Sequence, residues 1–153
     1  MSKLVTLTYT ITISASQEQV FAYLTDWEKQ SEWILFTQVR KTSSGDNGVG
    51  TTLSARTGLG PVGFIDTMLV EEWKPPIGCT VVHTGKVVRG KGVFTITKLS
   101  ETSTEFAWDE ITPVPLGAFG RFGLIFMKPV LGYMFNRSLR MLKRSVELTS
   151  AAQ

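Results

Sequence analysis

The side chains best suited to chemistry in this sequence are His83 and Glu110. An imidazole exchanges its proton near neutral pH, and a carboxylate is the commonest partner for such an exchange. His83 is the only histidine and Cys79 the only cysteine among 153 residues. A His-rich metal site, a cysteine zinc site, an intramolecular disulfide and a Cys–His hydrolase are therefore poorly supported. No metal, no cofactor and no catalytic set is expected. Cys79 lies in Ile77–Val82, which reads as a strand, so a buried inert thiol is expected there. Gly90-Lys91-Gly92 does not open a helix and so is not a phosphate loop.

Strand alternation decides which of these side chains face inward. In Val93–Leu99, Val93, Thr95 and Thr97 share one face, while Phe94 and Ile96 share the other. In Thr104–Ile111, Glu105, Ala107 and Asp109 oppose Phe106, Trp108 and Glu110. The polar face of an antiparallel sheet goes to water and the aromatic face goes inside. Phe94, Ile96, Phe106 and Trp108 should then line the interior, and Glu110 is carried in with them. A tight turn at Gly85-Lys86 would pair His83 with Val88 and turn His83, Val81 and Cys79 inward. Extending the parity across Pro75-Pro76 adds Val70, Met68, Asp66 and Phe64, although a one-residue slip reverses any such assignment.

Two readings of the polar pair stay open. Glu110 and His83 meet a ligand's polar group or move protons. Alternatively, Glu110 sits hydrated at the strand end or pairs with Arg89 or Arg121, and His83 is a satisfied core histidine. Arg56, Arg89 and Lys91 have the parity of the solvent face.

The elements that must position these residues are well punctuated. A strand runs from about Lys3 to Ser14, where Val5, Leu7, Tyr9, Ile11 and Ile13 alternate with threonines. Ser16 opens a capping box with Gln19 and starts a short helix carrying Val20, Phe21 and Leu24. Asp26 can cap a second short helix to about Trp33. Six strands follow: Phe36–Thr42, Gly50–Arg56, Val62–Trp73, Cys79–Thr84, Val87–Leu99 and Thr102–Thr112. The short links between them imply antiparallel neighbours. After Pro113 the pattern is helical, with a stripe of Leu131, Met134, Phe135, Ser138, Met141, Leu142 and Val146. Pro129 should kink or divide that segment.

Bulk properties exclude several classes. A net charge of +3, without aromatic interleaving of the basic residues, does not indicate nucleic acid. The N-terminal alternation is not the continuous apolar core of a signal peptide, so a cytoplasmic location is expected. From Leu116 to Phe135, twenty residues carry only Arg121 and Lys128 as charges, long enough for a membrane span. Each of those charges costs roughly 2.5–3.5 kcal/mol near a span centre, against about 0.3–0.6 returned per large apolar residue. Four glycines and Pro129 add little apolar area. Stable membrane insertion is therefore not expected. The stretch reads instead as the wall and lid of a cavity, with Phe119, Phe122 and Phe126 at three- and four-residue spacing.

Strand, two short helices, six strands and a long helix is the element order of the helix-grip fold. Thr10–Ser16, Val20-Phe21, Leu24-Thr25-Asp26 and Glu32-Trp33 resemble the opening of START-like proteins of the SRPBCC (polyketide cyclase/dehydrase and lipid-transport) superfamily. Glu72–Pro76, Arg89–Phe94 and Phe106–Glu110 are similar to its later strand motifs. The resemblance covers nearly the whole chain and implies a deep apolar cavity between sheet and helix. It carries over no mechanism, because the superfamily shares no catalytic set.

The expected architecture is one α+β domain over residues 1–153, a curved seven-stranded antiparallel sheet wrapped around the long C-terminal helix. The expected partner is a hydrophobic small molecule such as a lipid, polyketide or isoprenoid-like ligand. It would be held by Met68, Val81, His83, Phe94, Ile96, Phe106, Trp108, Glu110, Phe119, Phe122 and Phe126 in a cavity of roughly 300–1,000 Å³. The alternative is an aromatase/cyclase-type enzyme using Glu110 or His83 as acid or base. A third reading is a protein-interaction module whose interior is closed by aromatics. A weak homodimer is compatible with the sequence.

Overall fold

Alternating Val, Leu, Tyr and Ile residues make the first strand of a seven-stranded antiparallel sheet in the computed structural model, which describes residues 3–114 and 117–153. The side chains of residues 117–119 and 121 lie outside that description. The strands are β1 (Leu4–Ile13), β2 (Thr37–Lys41), β3 (Thr52–Leu59), β4 (Val62–Lys74), β5 (Gly78–His83), β6 (Lys91–Ser100) and β7 (Ser103–Pro113). Their order is β1-β7-β6-β5-β4-β3-β2, so from β3 onward each strand pairs with its predecessor, and β1 closes the β7 edge. Helices α1 (Gln17–Leu24) and α2 (Gln30–Trp33), joined by a short 3₁₀ turn, separate β1 from β2. The long helix α3 (Gly117–Ala151) ends the chain. This is the α+β helix-grip arrangement.

Local chemistry explains the element ends. The Ser16 hydroxyl accepts the Gln19 N–H at 3.2 Å, while the Gln19 side chain accepts the Ser16 N–H at 3.1 Å, which satisfies two free donors at the start of α1. Helix α1 then buries Val20, Phe21 and Leu24 against the sheet and α3. Trp27, Trp33, Ile13, Phe106, Leu139 and Leu142 complete the most deeply buried layer.

Two local departures from the expected register matter for the site. The Thr84 N–H donates to Thr67 O of β4 at 2.7 Å, which holds the end of β5 against β4 rather than in a tight turn toward β6. The link between β5 and β6 therefore widens, and the His83 N–H meets Gly90 O rather than Val88. The shift is two residues, so parity is kept and His83 still faces inward. In β4 a bulge between Val70 and Glu72 inserts one residue, and beyond it Trp73 turns in to meet Phe21 at 5.1 Å.

Helix α3 continues through Pro129 and is not divided there. Proline removes one N–H, and the neighbouring residues Ile125 to Val130 are exposed, so water can serve the carbonyl that loses its bond. No helix among the described residues is long and apolar enough to cross a membrane.

Candidate functional site

Between the concave sheet and α3 lies a cavity of about 340 Å³. Its helix side is made by Leu131, Met134, Phe135 and Ser138, which recur at three- and four-residue spacing and so share one face of α3. Its sheet side comes from inward residues of most strands, among them Leu7, Leu53, Ala55, Val81, Phe94 and Trp108. Trp108 anchors the aromatic part, with ring centroids 4.5 Å from Phe135, 5.5 Å from Phe94 and 5.6 Å from Trp33. Tyr9 stacks on Phe135 at 4.5 Å with the rings only 10° apart. Such contacts hold the aromatic wall rigid.

One end of this apolar space is polar. Asp66 Oδ2 lies 2.5 Å from His83 Nδ1, and His83 Nε2 lies 3.5 Å from Glu110 Oε2. The Trp108 indole N–H donates to Glu110 Oε1 at 2.7 Å. The result is a line, Asp66–His83–Glu110–Trp108, drawn from β4, β5 and β7. Burial decreases from Asp66 to Glu110: the side chain of Asp66 is 5 % exposed, that of His83 11 % and that of Glu110 18 %. Gly85 covers Asp66, since a Cβ there would stand 2.5 Å from Oδ1. Gly92 leaves the room Glu110 needs, because a Cβ there would come within 3.2 Å of Oε1. Among the described residues, Asp66 Oδ1 has no hydrogen-bond partner.

These neighbours set the protonation of His83. Burial pushes its pKa down, but hydrogen bonds and charge from Glu110 and Asp66 outweigh this and raise it above its ordinary value. Tyr9 is raised by burial and by the charge of Glu110. Cys79 is buried on β5, which pushes its thiol up to about 12 and leaves it un-ionised at neutral pH. Among the described residues, no three His, Cys, Asp or Glu side chains surround a point where a metal could sit.

Six of the sequence-predicted ligand residues line the cavity together: Met68, Val81, His83, Phe94, Trp108 and Glu110. Ile96 and Phe106 are inward but lie deeper, in the closed core. Phe122 and Phe126 are not brought to the cavity; they are 63 % and 74 % exposed, because nothing among the described residues packs on that part of α3. Phe119 falls outside the described side chains, as does Arg121, one of the partners considered for Glu110. Arg89, the other, is exposed at the rim and makes no ion pair with Glu110. Sequence reasoning missed Leu53, Ala55 and Thr57, although their two-residue spacing on β3 matches that of the inward residues elsewhere. It also placed Leu131, Met134, Phe135 and Ser138 on one stripe without assigning them to the site.

Comparison with known proteins bears on the architecture. The Zhui aromatase/cyclase from Streptomyces sp. R1128 superposes with a TM-score of 0.76 at 13% identity, over 95% of this chain and 94% of that one. A protein from Thermus thermophilus gives 0.79 at 13% identity, over 95% and 99% of the two chains. The di-domain ARO/CYC StfQ of the steffimycin biosynthetic pathway gives 0.73 at 14% identity, over 97% of this chain and 52% of that one. These likenesses establish a shared fold. No curated protein sequence matches the chain. With residues 5–147 matching the family model, the chain belongs to the polyketide cyclase / dehydrase and lipid transport family.

Proposed function

We propose that this protein binds an apolar small molecule in the cavity between sheet and α3, with the polar end of the ligand at His83 and Glu110. One observation carries the reading: a mostly apolar cavity of about 340 Å³ has the Asp66–His83–Glu110 cluster in its wall. That volume falls within the range of roughly 300–1,000 Å³ usual for small-molecule sites. Family membership supports a ligand-binding or polyketide-processing role. Neutral polyaromatic and alkyl probes should raise the melting temperature of the wild-type protein. Ala55→Phe, which places a ring in the cavity, should abolish the response. A protein that responds to no probe, or a variant that responds equally, removes the reading.

A second reading rests on the Asp66–His83–Glu110 line. A proton-exchanging imidazole held between two carboxylates suits an aromatase/cyclase-type enzyme. Glu110 or His83 would accept a proton from a carbon beside a carbonyl and return one to a departing hydroxyl. Two of the structural neighbours are described as aromatase/cyclase proteins. Glu110→Gln and His83→Ala discriminate between the readings. Turnover lost with binding retained favours the enzyme; turnover unchanged, or binding alone weakened, favours the binder.

A further inference from the structure

Resting on that binding reading, we propose that the cavity selects apolar molecules whose polar end, at the His83–Glu110 pole, is a neutral hydroxyl (a phenol, enol or alcohol) and turns away free carboxylates such as fatty acids. The argument is one of charge and of open hydrogen-bonding positions. The polar end of the cavity holds two carboxylates, Asp66 and Glu110, and one imidazole shared between them. Even with His83 fully protonated, the formal charge of the three is −1. Among the described residues that line the cavity, the one other cation is Arg89, which is exposed. The stretch of α3 facing the cavity brings Leu131, Met134, Phe135 and Ser138; β3 brings Leu53, Ala55 and Thr57; β1 brings Leu7. Tyr9 stands nearby with its phenol neutral. Arg89 stays at the rim, and among the described residues it forms no ion pair with either carboxylate.

Within the pole, the two carboxylates play different parts. Asp66 also lines the cavity but is the more buried of the two, with Oδ1 packed against Gly85 and given no donor among the described residues, so its charge acts mainly through space on whatever enters. Glu110 is the more open of the two. Its Oε1 is occupied by the Trp108 indole, whereas among the described residues Oε2 has only the long 3.5 Å contact to His83. A carboxylate oxygen accepts more than one hydrogen bond, so Oε2 has a position left for a donor. A ligand hydroxyl fills that position and adds no charge. A ligand carboxylate would bring a third negative group into a water-poor pole, where repulsion is much stronger than in solution. An ammonium would be attracted but must first shed its tightly held water, which offsets the gain.

A panel with one common two-ring body tests the selection on the full-length protein at neutral pH: 2-methylnaphthalene, 2-naphthol, 2-naphthoate and 2-naphthylmethylamine. The expected result is 2-naphthol binding about tenfold tighter than 2-methylnaphthalene, as one hydrogen bond to a charged acceptor allows. 2-Naphthoate should bind about tenfold or more weaker than 2-methylnaphthalene. In Glu110→Gln, the gap between 2-naphthol and 2-naphthoate should shrink to within about threefold. Naphthoate binding the wild type as tightly as naphthol overturns the inference while leaving apolar binding intact. So does the amine binding more tightly than naphthol. If none of the four binds, the underlying ligand-binding reading falls and takes this inference with it.

Discussion

The sheet and α3 form opposite walls of the same cavity, yet they bury their apolar residues by different rules. On the sheet, Phe94, Ile96, Phe106 and Trp108 all face inward and are all buried. On α3, the stretch containing Ser138, Leu139, Leu142 and Val146 is buried, while Phe122, Ile125, Phe126 and Val130 are exposed on a stripe of the same spacing. A residue in a strand is held by ladders on both sides, so its parity passes to its neighbours. A helix satisfies its own backbone, and its stripe is buried only where another element lies against it. The sheet wall is thus dictated strand by strand, and the helix wall by the reach of its partners.

The largest effects should come from positions where both walls are closed. Phe106→Ala removes a fully buried ring and should lower unfolding free energy by about 3–5 kcal/mol. Leu142→Ala, fully buried on the helix side, should lose about 2–5 kcal/mol. Urea denaturation of the two variants measures this directly. A loss below about 1 kcal/mol at Leu142 would show that the helix contributes far less to the core than the sheet does.

The polar pole lies on the sheet wall and should give a smaller, pH-dependent effect. His83→Ala leaves Asp66 buried without its donor and should lose about 1–3 kcal/mol. His83 has its folded pKa raised above the ordinary 6.5 by Glu110 and Asp66, against the opposing effect of burial. The protonated form is therefore the one that the fold stabilises. That contribution is fully present below pH 6.5 and is lost as pH rises through the raised folded value. Denaturation across this range should show the advantage of wild type over His83→Ala shrinking with pH. An advantage that stays constant or grows would mean His83 is neutral in the folded protein.

The same contrast explains what the sequence made legible. Fold class, strand number and the inward set on β5 to β7 followed from alternation, because one buried face fixes every second residue. His83 was placed correctly even though the turn was read two residues too short, since a shift of two preserves parity. The Asp66–His83 contact was not legible. It depends on the register across β4 and β5, on the side of the Val70/Glu72 bulge where parity is continuous, and no local pattern shows which side of a bulge a residue occupies. Phe122 and Phe126 were read as cavity wall from spacing alone, and spacing says nothing about where a helix runs past the elements it packs against.

The smallest expected effect is therefore the sharpest test of the difference between the walls. Phe126→Ser replaces a large ring in the apolar stripe, and from sequence alone it looks like a severe core lesion. At 74 % exposure the ring has little apolar area to lose from burial, and most of the change falls on water-facing surface. Surface substitutions away from caps and special backbone usually stay within about 0.5 kcal/mol. Phe126→Ser should therefore leave the urea midpoint nearly unchanged while Leu142→Ala shifts it strongly, although both residues are apolar members of one continuous helix. Should Phe126→Ser cost as much as Leu142→Ala, the N-terminal half of α3 must be packed against something in solution, and the helix wall would follow the sheet's rule after all.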